Sequence, residues 1–279
     1  MKNYVKILFL LLVSSCTAFP VAAQQKSTKP NISRLVMSME RLWRADRYLE
    51  AMDTAAYVLS LQPSNRTATD FMYYRWEKMD EDTHQRLQSL SDENDLSQAM
   101  QRCEIYRLLD EIYTHLSNVP LPLHGTNGRW VWQPEVSYFT GHYDSERSRV
   151  VNLLLVKADA ALLSHDADTA REYYLLLLQK YLVTEGERSS NLQLLLQKCN
   201  ERLRLYCSSS RLSDALFAWD LLDLSLTLEP RQEEIANMRS GLQQHIASLY
   251  LAQAQQALLQ GDTVQAHEFG LYAEDWKMQ

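Results

Sequence analysis

The sequence predicts an all-α protein built as a stack of helical hairpins. Glycine and proline each account for 7 of the 279 residues, about 2.5%, where about 7% and 5% are usual, so helix breakers are scarce. Hydrophobic residues make up 46% of the chain, and they recur at the three- and four-residue spacings of amphipathic helices. The same two-armed pattern returns about five times. Together these observations predict an α-α superhelix of about five hairpins with one non-helical insertion.

Residues 1–23 have the pattern of an export signal, because two lysines precede a short apolar run at 7–13. Two processing sites compete. The small residues 21–23 before Gln24 fit ordinary signal peptidase, whereas residues 13–16 resemble a bacterial lipobox that would leave Cys16 as a lipid-modified N-terminus. Both predict export, either to the periplasm or to the outer membrane as a lipoprotein. No later apolar run reaches the roughly 18 residues of a membrane span, so membrane contact is expected only through lipid at Cys16.

The body of the protein is acidic. The net charge of the whole chain is −7, and it becomes −9 without residues 1–23, which hold two lysines and no acidic residue. An acidic body argues against binding to nucleic acid. Outside the signal the cysteines are Cys103, Cys199 and Cys207; an odd number argues against a disulfide framework, so we expect small buried apolar side chains.

The chain begins with a polar leader, residues 24–32, followed by two predicted hairpins in residues 33–118. The first has one arm at 35–43, a turn at 45–48 and a second arm at 51–59 that ends before Pro63.

The second predicted hairpin is looser. Its first helix runs through 71–87, with a break near Asp80–Asp82 as an alternative. The acidic stretch 92–95 is expected to cap the next helix, which carries apolar residues from Ala99 to Tyr113.

Residues 119–145 form the predicted insertion. Three of the seven prolines and three of the seven glycines lie here, among the aromatic residues Trp130, Trp132, Tyr138 and Phe139. The alternation of Trp130, Val131 and Trp132 favours a short strand in an ordered loop or hairpin. The aromatic residues either form a binding site or plug a gap between two halves of the stack.

Residues 146–279 are predicted to form three further hairpins. The third has arms at 153–162 and 170–178, and the fourth has arms at 192–203 and 215–226. The last hairpin, 249–276, has the clearest pattern, with its turn at Gly261 and Asp262.

Small residues at Ala254, Ala266 and Gly270 allow the two arms of the last hairpin to approach closely. This hairpin resembles a tetratricopeptide repeat, in which small residues of two antiparallel helices face each other. The family period is about 34 residues, whereas the alanines that follow the five turns are 48, 71, 45 and 51 residues apart. The resemblance therefore implies a divergent array with longer helices. The alanines are Ala51, Ala99, Ala170, Ala215 and Ala266.

The resemblance also implies a binding groove, because tetratricopeptide arrays line one with the first helix of each hairpin. The mixture of polar and apolar groups at these positions suits a peptide main chain, and it lacks the lysine cluster that would hold an acidic C-terminus. The expected groove positions in the last three hairpins are Asn152, Leu155 and Asp159; Gln197, Asn200 and Arg204; and Ser248, Leu251 and Gln255.

The sequence carries no recognisable catalytic or cofactor motif. The histidines show no pair at helical metal-ligand spacing, and no phosphate loop or nucleophile elbow occurs. We therefore expect no enzyme activity, no metal and no cofactor. The predicted function is a non-enzymatic scaffold that binds proteins in the bacterial cell envelope. The alternatives are an outer-membrane lipoprotein of an assembly or secretion machinery, and a glycan-binding protein or enzyme with its site around Trp130 and Trp132.

Overall fold

The computed structural model describes residues 30–125, 128–135 and 142–278. Within these ranges ten helices pack on one another beside a single two-stranded sheet, so the predicted all-α superhelical class is confirmed. The predicted signal at 1–23 with Cys16, residues 24–29 of the leader, and the aromatic residues Tyr138 and Phe139 lie outside the described ranges.

The N-terminal part has four helices and a β-hairpin. The helices are α1 (Ile32–Arg44), α2 (Tyr48–Leu61), α3 (Arg66–Ser89) and α4 (Leu96–Leu116), and the antiparallel strands are β1 (Leu123–His124) and β2 (Val131–Trp132).

The C-terminal part has six helices. They are α5 (His142–Leu163), α6 (Ala167–Leu176), α7 (Glu185–Tyr206), α8 (Leu212–Leu228), α9 (Glu233–Leu259) and α10 (Thr263–Met278), and α6 continues through a π-helical turn at Leu177–Tyr181. Because α5 begins at His142, the insertion is shorter at its C-terminal end than the predicted 119–145.

Three of the hairpins share one turn geometry. The residue at the turn has a left-handed backbone, with φ of 57° at Asp46, 59° at His165 and 82° at Gly261. Aspartate, histidine and glycine all tolerate this conformation better than most residues. In each turn the next N–H donates to the carbonyl five residues earlier, which closes the helix as in a Schellman motif. These bonds join Arg47 to Leu42, Asp166 to Ala161 and Asp262 to Ala257, at 3.1, 2.9 and 3.0 Å.

In all three turns a buried alanine follows the left-handed residue at the same distance, five residues later. These alanines are Ala51, Ala170 and Ala266, and the alanines of the other two hairpins, Ala99 and Ala215, are buried as well. The turn-following alanines predicted from the sequence therefore lie where helices meet.

Helix α3 is continuous, so the break near Asp80–Asp82 does not occur. Met79 and Thr83 are both buried, one turn apart on the same face, and hold the helix across the acidic stretch. The Thr83 hydroxyl donates to the carbonyl of Met79 at 2.8 Å. The cap expected at 92–95 is made by Asp95, whose side chain accepts from the N–H of Gln98.

Two clusters of buried residues form the core, and α4 contributes to both. Ala99 and Cys103 at its start belong to the C-terminal cluster, whereas Ile105 and the apolar residues that follow it belong to the N-terminal cluster. Cys103 and Cys199 are buried free thiols, as expected from the sequence, whereas Cys207 is a free thiol that is only partly buried.

The second hairpin is open. Close backbone contacts join α2 to α3, α2 to α4 and α4 to α5, whereas α3 and α4 scarcely approach each other. The insertion lies in this part of the stack, since Val119, Leu123, Trp130 and Trp132 all pack in the N-terminal cluster.

The last hairpin projects from the stack. His245 Nε2 lies 2.8 Å from the carbonyl oxygen of Ser209, in the turn between α7 and α8, and α9 continues to Leu259, about 21 Å further at 1.5 Å per residue. Its α10 partner returns alongside. We call residues 247–273 the terminal arm. Its buried residues Ala247, Ala254, Ala257, Ala266 and Ala273 belong to neither core cluster, whereas Leu249 and Tyr250 at its base pack against the C-terminal cluster.

Candidate functional site

Two helices that carry predicted groove residues, α5 and α7, are joined by side-chain contacts, although few of their backbone positions approach closely. The ammonium of Lys198 on α7 donates to Asp159 on α5 at 2.6 Å, and Arg147 on α5 contacts Glu187 on α7 at 3.2 Å. Along the two helices, each residue of α5 is therefore aligned with the residue of α7 that comes about 39 or 40 positions later in the sequence. Asp159, predicted to face a ligand, instead joins the two helices.

Helices α7 and α9 are joined in the same way. Arg204 donates to Glu234 at 2.7 Å, and the side-chain amide of Asn200 donates to Gln232 at 2.9 Å. Gln197 is exposed and donates to Glu201 one turn along its own helix. Of the three predicted positions on α7, Gln197 makes its hydrogen bond within its own helix, whereas Asn200 and Arg204 connect the hairpins.

The structure does not bring Gln255 to the other predicted groove residues. It lies ten residues beyond His245, which already contacts the turn at the end of α7, so it is about 15 Å further along the arm. Ser248, Leu251 and Gln255 are exposed on the terminal arm, and the predicted nine-residue groove is divided between two surfaces.

The outward surface of α5 and α7 carries aliphatic side chains that sequence reasoning missed. Val156 and Leu163 on α5, and Leu194 and Leu205 on α7, are 44% to 70% exposed. The ion pairs fix how α5 and α7 are aligned along their length. In this alignment Val156 lies beside Leu194, and Leu163 lies close to Leu205 in height along the helices. Asn152 and Gln197 are exposed on the same sides of these helices. We call these six residues the α5–α7 face.

An open depression adjoins Asn152 at one edge of this face. Arg149 crosses it to pair with Glu93 before α4, at 2.8 Å. The depression is lined by Glu93, Asn94, Ser145, Ser148, Arg149, Asn152, Leu153 and Val156.

The side chain of Trp130, a candidate binding residue, is covered on both faces. Tyr73 of α3 stacks on the indole with ring centroids 3.9 Å apart. A Cβ at Gly125 would overlap the same ring, and a tyrosine ring and a glycine backbone cannot occupy one side of an indole together. Gly125 also donates its N–H to the carbonyl of Trp130 at 2.9 Å. The sequence gives no direct signal for this glycine's role.

Trp132, the other candidate in the insertion, meets α3 edge-on. Its ring centroid lies 5.3 Å from that of Trp76 and 6.0 Å from that of Tyr73. Such edge-to-face pairs stabilise aromatic clusters. Both tryptophans are half-buried, and they pack beside α3 in the N-terminal cluster and not between the two halves of the stack.

The half-buried carboxyl of Asp53 lies between α2 and α4. Burial raises the pKa of Asp53 to about 7, and the nearby carboxylate of Glu111 adds to the effect. His115 lies 3.6 Å away, but burial lowers the pKa of its imidazole, so it does not act as a charged partner at neutral pH. Asp53 was not singled out from the sequence, because nothing local marks it as buried.

The fold and these surfaces define a helical-repeat-like protein with exposed apolar strips on neighbouring helices. Comparison with family models, with curated proteins and with solved structures finds no match. In the described ranges, no three His, Cys, Asp or Glu residues are arranged to hold a metal ion.

No helix of the described part is both long enough and apolar enough to cross a bilayer.

Proposed function

We propose that this chain is a non-enzymatic scaffold of the bacterial cell envelope, built as a divergent tetratricopeptide-like array, that binds a segment of another protein across the α5–α7 face. The supporting observation is the paired exposure of Val156 with Leu194 and of Leu163 with Leu205. A solvated helix face usually carries polar groups at such positions, and contiguous exposed apolar groups are typical of interaction sites.

The dimensions of this face suit a short peptide. The two aliphatic pairs are seven residues apart on α5 and eleven apart on α7, which corresponds to about 10 to 16 Å. An extended peptide advances about 3.3 Å per residue, so apolar side chains about three to five positions apart would reach both pairs. The amide groups of Gln197, between the two pairs, and of Asn152, at one edge of the face, can donate to and accept from the peptide main chain.

The ion pair between Asp159 and Lys198 lies between the two aliphatic pairs. Each partner is about one third exposed and is already paired. The ion pair therefore positions the two helices and leaves little unpaired charge for a ligand. We therefore assign Asp159, Asn200 and Arg204 to holding the hairpins in register, and Asn152 and Gln197 to ligand contact.

The envelope location rests on the sequence of residues 1–23, with cleavage before Gln24 giving a periplasmic protein. Cleavage before Cys16 would instead attach the same scaffold to the outer membrane by its lipid.

Peptide selection tests the proposal. A random peptide library displayed on phage is panned against the chain from Gln24 onward, and the enriched peptides should carry two apolar residues about three to five positions apart. Val156→Lys combined with Leu194→Lys should weaken the selected peptides about tenfold or more. The matched control is Val183→Lys, an equally exposed valine outside this face. Equal binding by the double variant and the control would refute the assignment.

A further inference from the structure

The open depression at the edge of the α5–α7 face lies on the same side of α5 as the exposed aliphatic residues. Ser145, Arg149, Asn152 and Val156 follow one another at intervals of three and four residues, so they share one side of the helix. Asn152 and Val156 belong to the face and also line the depression. A peptide that runs along α5 across the face can therefore continue into the depression.

The depression is large and mostly polar. Its volume is about 420 Å³, within the range of sites that hold small ligands, so one long side chain and the main chain beside it can fit. Only two of its lining residues are apolar, Leu153 and Val156. A polar cavity at the end of an apolar face suits a peptide in which a polar side chain follows apolar ones.

A chain of alternating charges leads from the protein interior to this depression. The guanidinium of Arg102 pairs with Glu146 at 3.2 Å, Glu146 lies 3.8 Å from Arg149, and Arg149 pairs with Glu93 at 2.8 Å. The exposed fraction of the side chains rises along this chain, from 8% at Arg102 to 73% at Glu93. Glu93 therefore ends the chain with a carboxylate that has a partner on one side and water on the other.

The backbone before and after Glu93 is held in place. Arg102 donates to the carbonyl of Asp92 at 3.1 Å, and the N–H of Asp92 donates to the side chain of Gln98 at 2.9 Å. On the other side, Asp95 caps helix α4. Because this segment is already fixed, a ligand that binds Glu93 has to order only the glutamate side chain.

The charge available to a ligand at the depression is negative. Glu93 and its neighbour Asp92 are exposed, whereas Arg149 is about two thirds buried and contacts carboxylates of both Glu93 and Glu146. The lysine of α5, Lys157, lies eight residues beyond Arg149, about 12 Å along the helix, which exceeds a Debye length at physiological salt.

This arrangement favours a cation over an anion. A carboxylate of a ligand would have to displace Glu93 from Arg149. An ammonium or guanidinium group can instead bind the open side of Glu93, where it extends the alternation of charges by one member.

We propose that the peptide bound by the α5–α7 face carries a lysine or arginine whose side chain enters the depression and pairs with Glu93. This inference rests on the proposed function. Val156 and Arg149 are seven residues apart on α5, about 10 Å, which an extended peptide covers in about three residues. The recognised segment therefore has a basic residue about three positions from its apolar pair, at the end that contacts Val156 and Leu194.

A peptide series tests the charge. The strongest peptide from the phage selection is synthesised with lysine, glutamine or glutamate three positions before its apolar pair, and in a second set three positions after it. Fluorescence anisotropy with the chain from Gln24 onward should show that one placement responds, with lysine about threefold tighter than glutamine and about tenfold tighter than glutamate. The advantage of lysine should shrink at high salt. Equal affinities in both placements, or tightest binding of glutamate, would overturn the proposal.

Variants of Glu93 locate the basic residue. Glu93→Gln should remove the difference between the lysine and glutamine peptides, and Glu93→Lys should make the glutamate peptide the tightest of the three. The matched control is Glu268→Gln, which changes an exposed carboxylate on α10 and should keep the preference for lysine. A preference for lysine that persists in Glu93→Gln refutes the site.

The second aliphatic pair provides a separate test of the face. Leu163→Asn combined with Leu205→Asn adds no charge and should weaken all three peptides by the same factor. If it does so while lysine has no advantage in the unchanged chain, the face is the binding site and the pairing with Glu93 is refuted. If it weakens none of the peptides, the proposed function fails, and this inference fails with it.

Discussion

The second and the last hairpins are built in opposite ways. In the second, α3 and α4 stand apart, and the tryptophans of the insertion fill the space beside α3. In the last, α9 and α10 close on alanines, and several large apolar side chains, such as Leu258 and Leu271, point outward instead. The comparison teaches that side-chain size sets the distance between paired helices, and that a tightly closed pair has apolar residues left over for partners.

The largest test of this comparison removes the filling of the open hairpin. Trp130→Ala should destabilise the protein by about 2 to 4 kcal/mol, because it leaves Tyr73 and Gly125 facing a cavity. Urea unfolding monitored by circular dichroism measures the loss. Tyr74→Ala is the control, since Tyr74 is 71% exposed beside the same cluster and should cost less than about 0.5 kcal/mol. Equal losses would mean that Trp130 does not hold the hairpin open.

The second test overfills the closed hairpin. Ala266 is buried in the seam, so Ala266→Leu should force α9 and α10 apart at a cost of about 1 to 3 kcal/mol. Hydrogen exchange measured by mass spectrometry should show faster exchange in residues 247–273 and little change in α1–α4, because the arm shares no core cluster with them. Leu259→Ala, which alters a side chain that is 90% exposed at the arm's tip, is the control. Unchanged exchange in the arm would contradict the seam.

The smallest expected effect concerns charge. The carboxyl of Asp53 lies between α2 and α4 with its pKa raised from 3.8 to about 7, whereas the carboxylates of the arm are exposed. Because the fold favours the protonated form, the stability that this group contributes is present below pH 3.8 and is lost as pH rises to about 7. Asp53→Asn should therefore stabilise the protein by about 1 kcal/mol at pH 8 and have little effect near pH 4. Thermal melts across this range measure the difference.

Asp275→Asn, which changes an exposed carboxylate of α10, should leave the pH dependence of stability as it is. If the two variants behave alike, the Asp53 carboxyl is ionised at neutral pH and hydrated in the native protein.

The sequence predicts local features of this fold well. Each of these features depends only on residues within one or two helical turns, so the local sequence pattern is enough to predict it. Examples are the turn at Gly261, the alanine that follows it and the Asp95 cap. The alternative of a break near Asp80–Asp82 was wrong, because Met79 and Thr83 hold one side of the continuous helix in the core while the acidic residues lie away from it.

The candidate sites depend on residues far apart in sequence. Asp159 was assigned to a groove, yet its partner Lys198 lies 39 residues later. Gln255 was grouped with Gln197 by repeat position alone, and the projection of the arm separates them. The sequence makes Trp130 a candidate for ligand binding, because no neighbouring residue indicates that Tyr73 and Gly125 cover the two faces of its ring. Such contacts arise only from the way the helices pack on one another, and the spacing of hydrophobic residues along the chain does not specify that packing.

The shared left-handed turn also bears on how this chain diverged. Each turn constrains only the residues from four before to five after Asp46, His165 or Gly261, so the far ends of the helices are free to gain or lose residues. An insertion of about seven residues adds two helical turns and returns the following side chains to within about 20° of their earlier direction. Hairpins that diverge in sequence through such insertions keep the turn but no longer share one repeat length. Relatives of this chain are therefore better sought by the pattern anchored on the turn and its alanine than by any fixed repeat length.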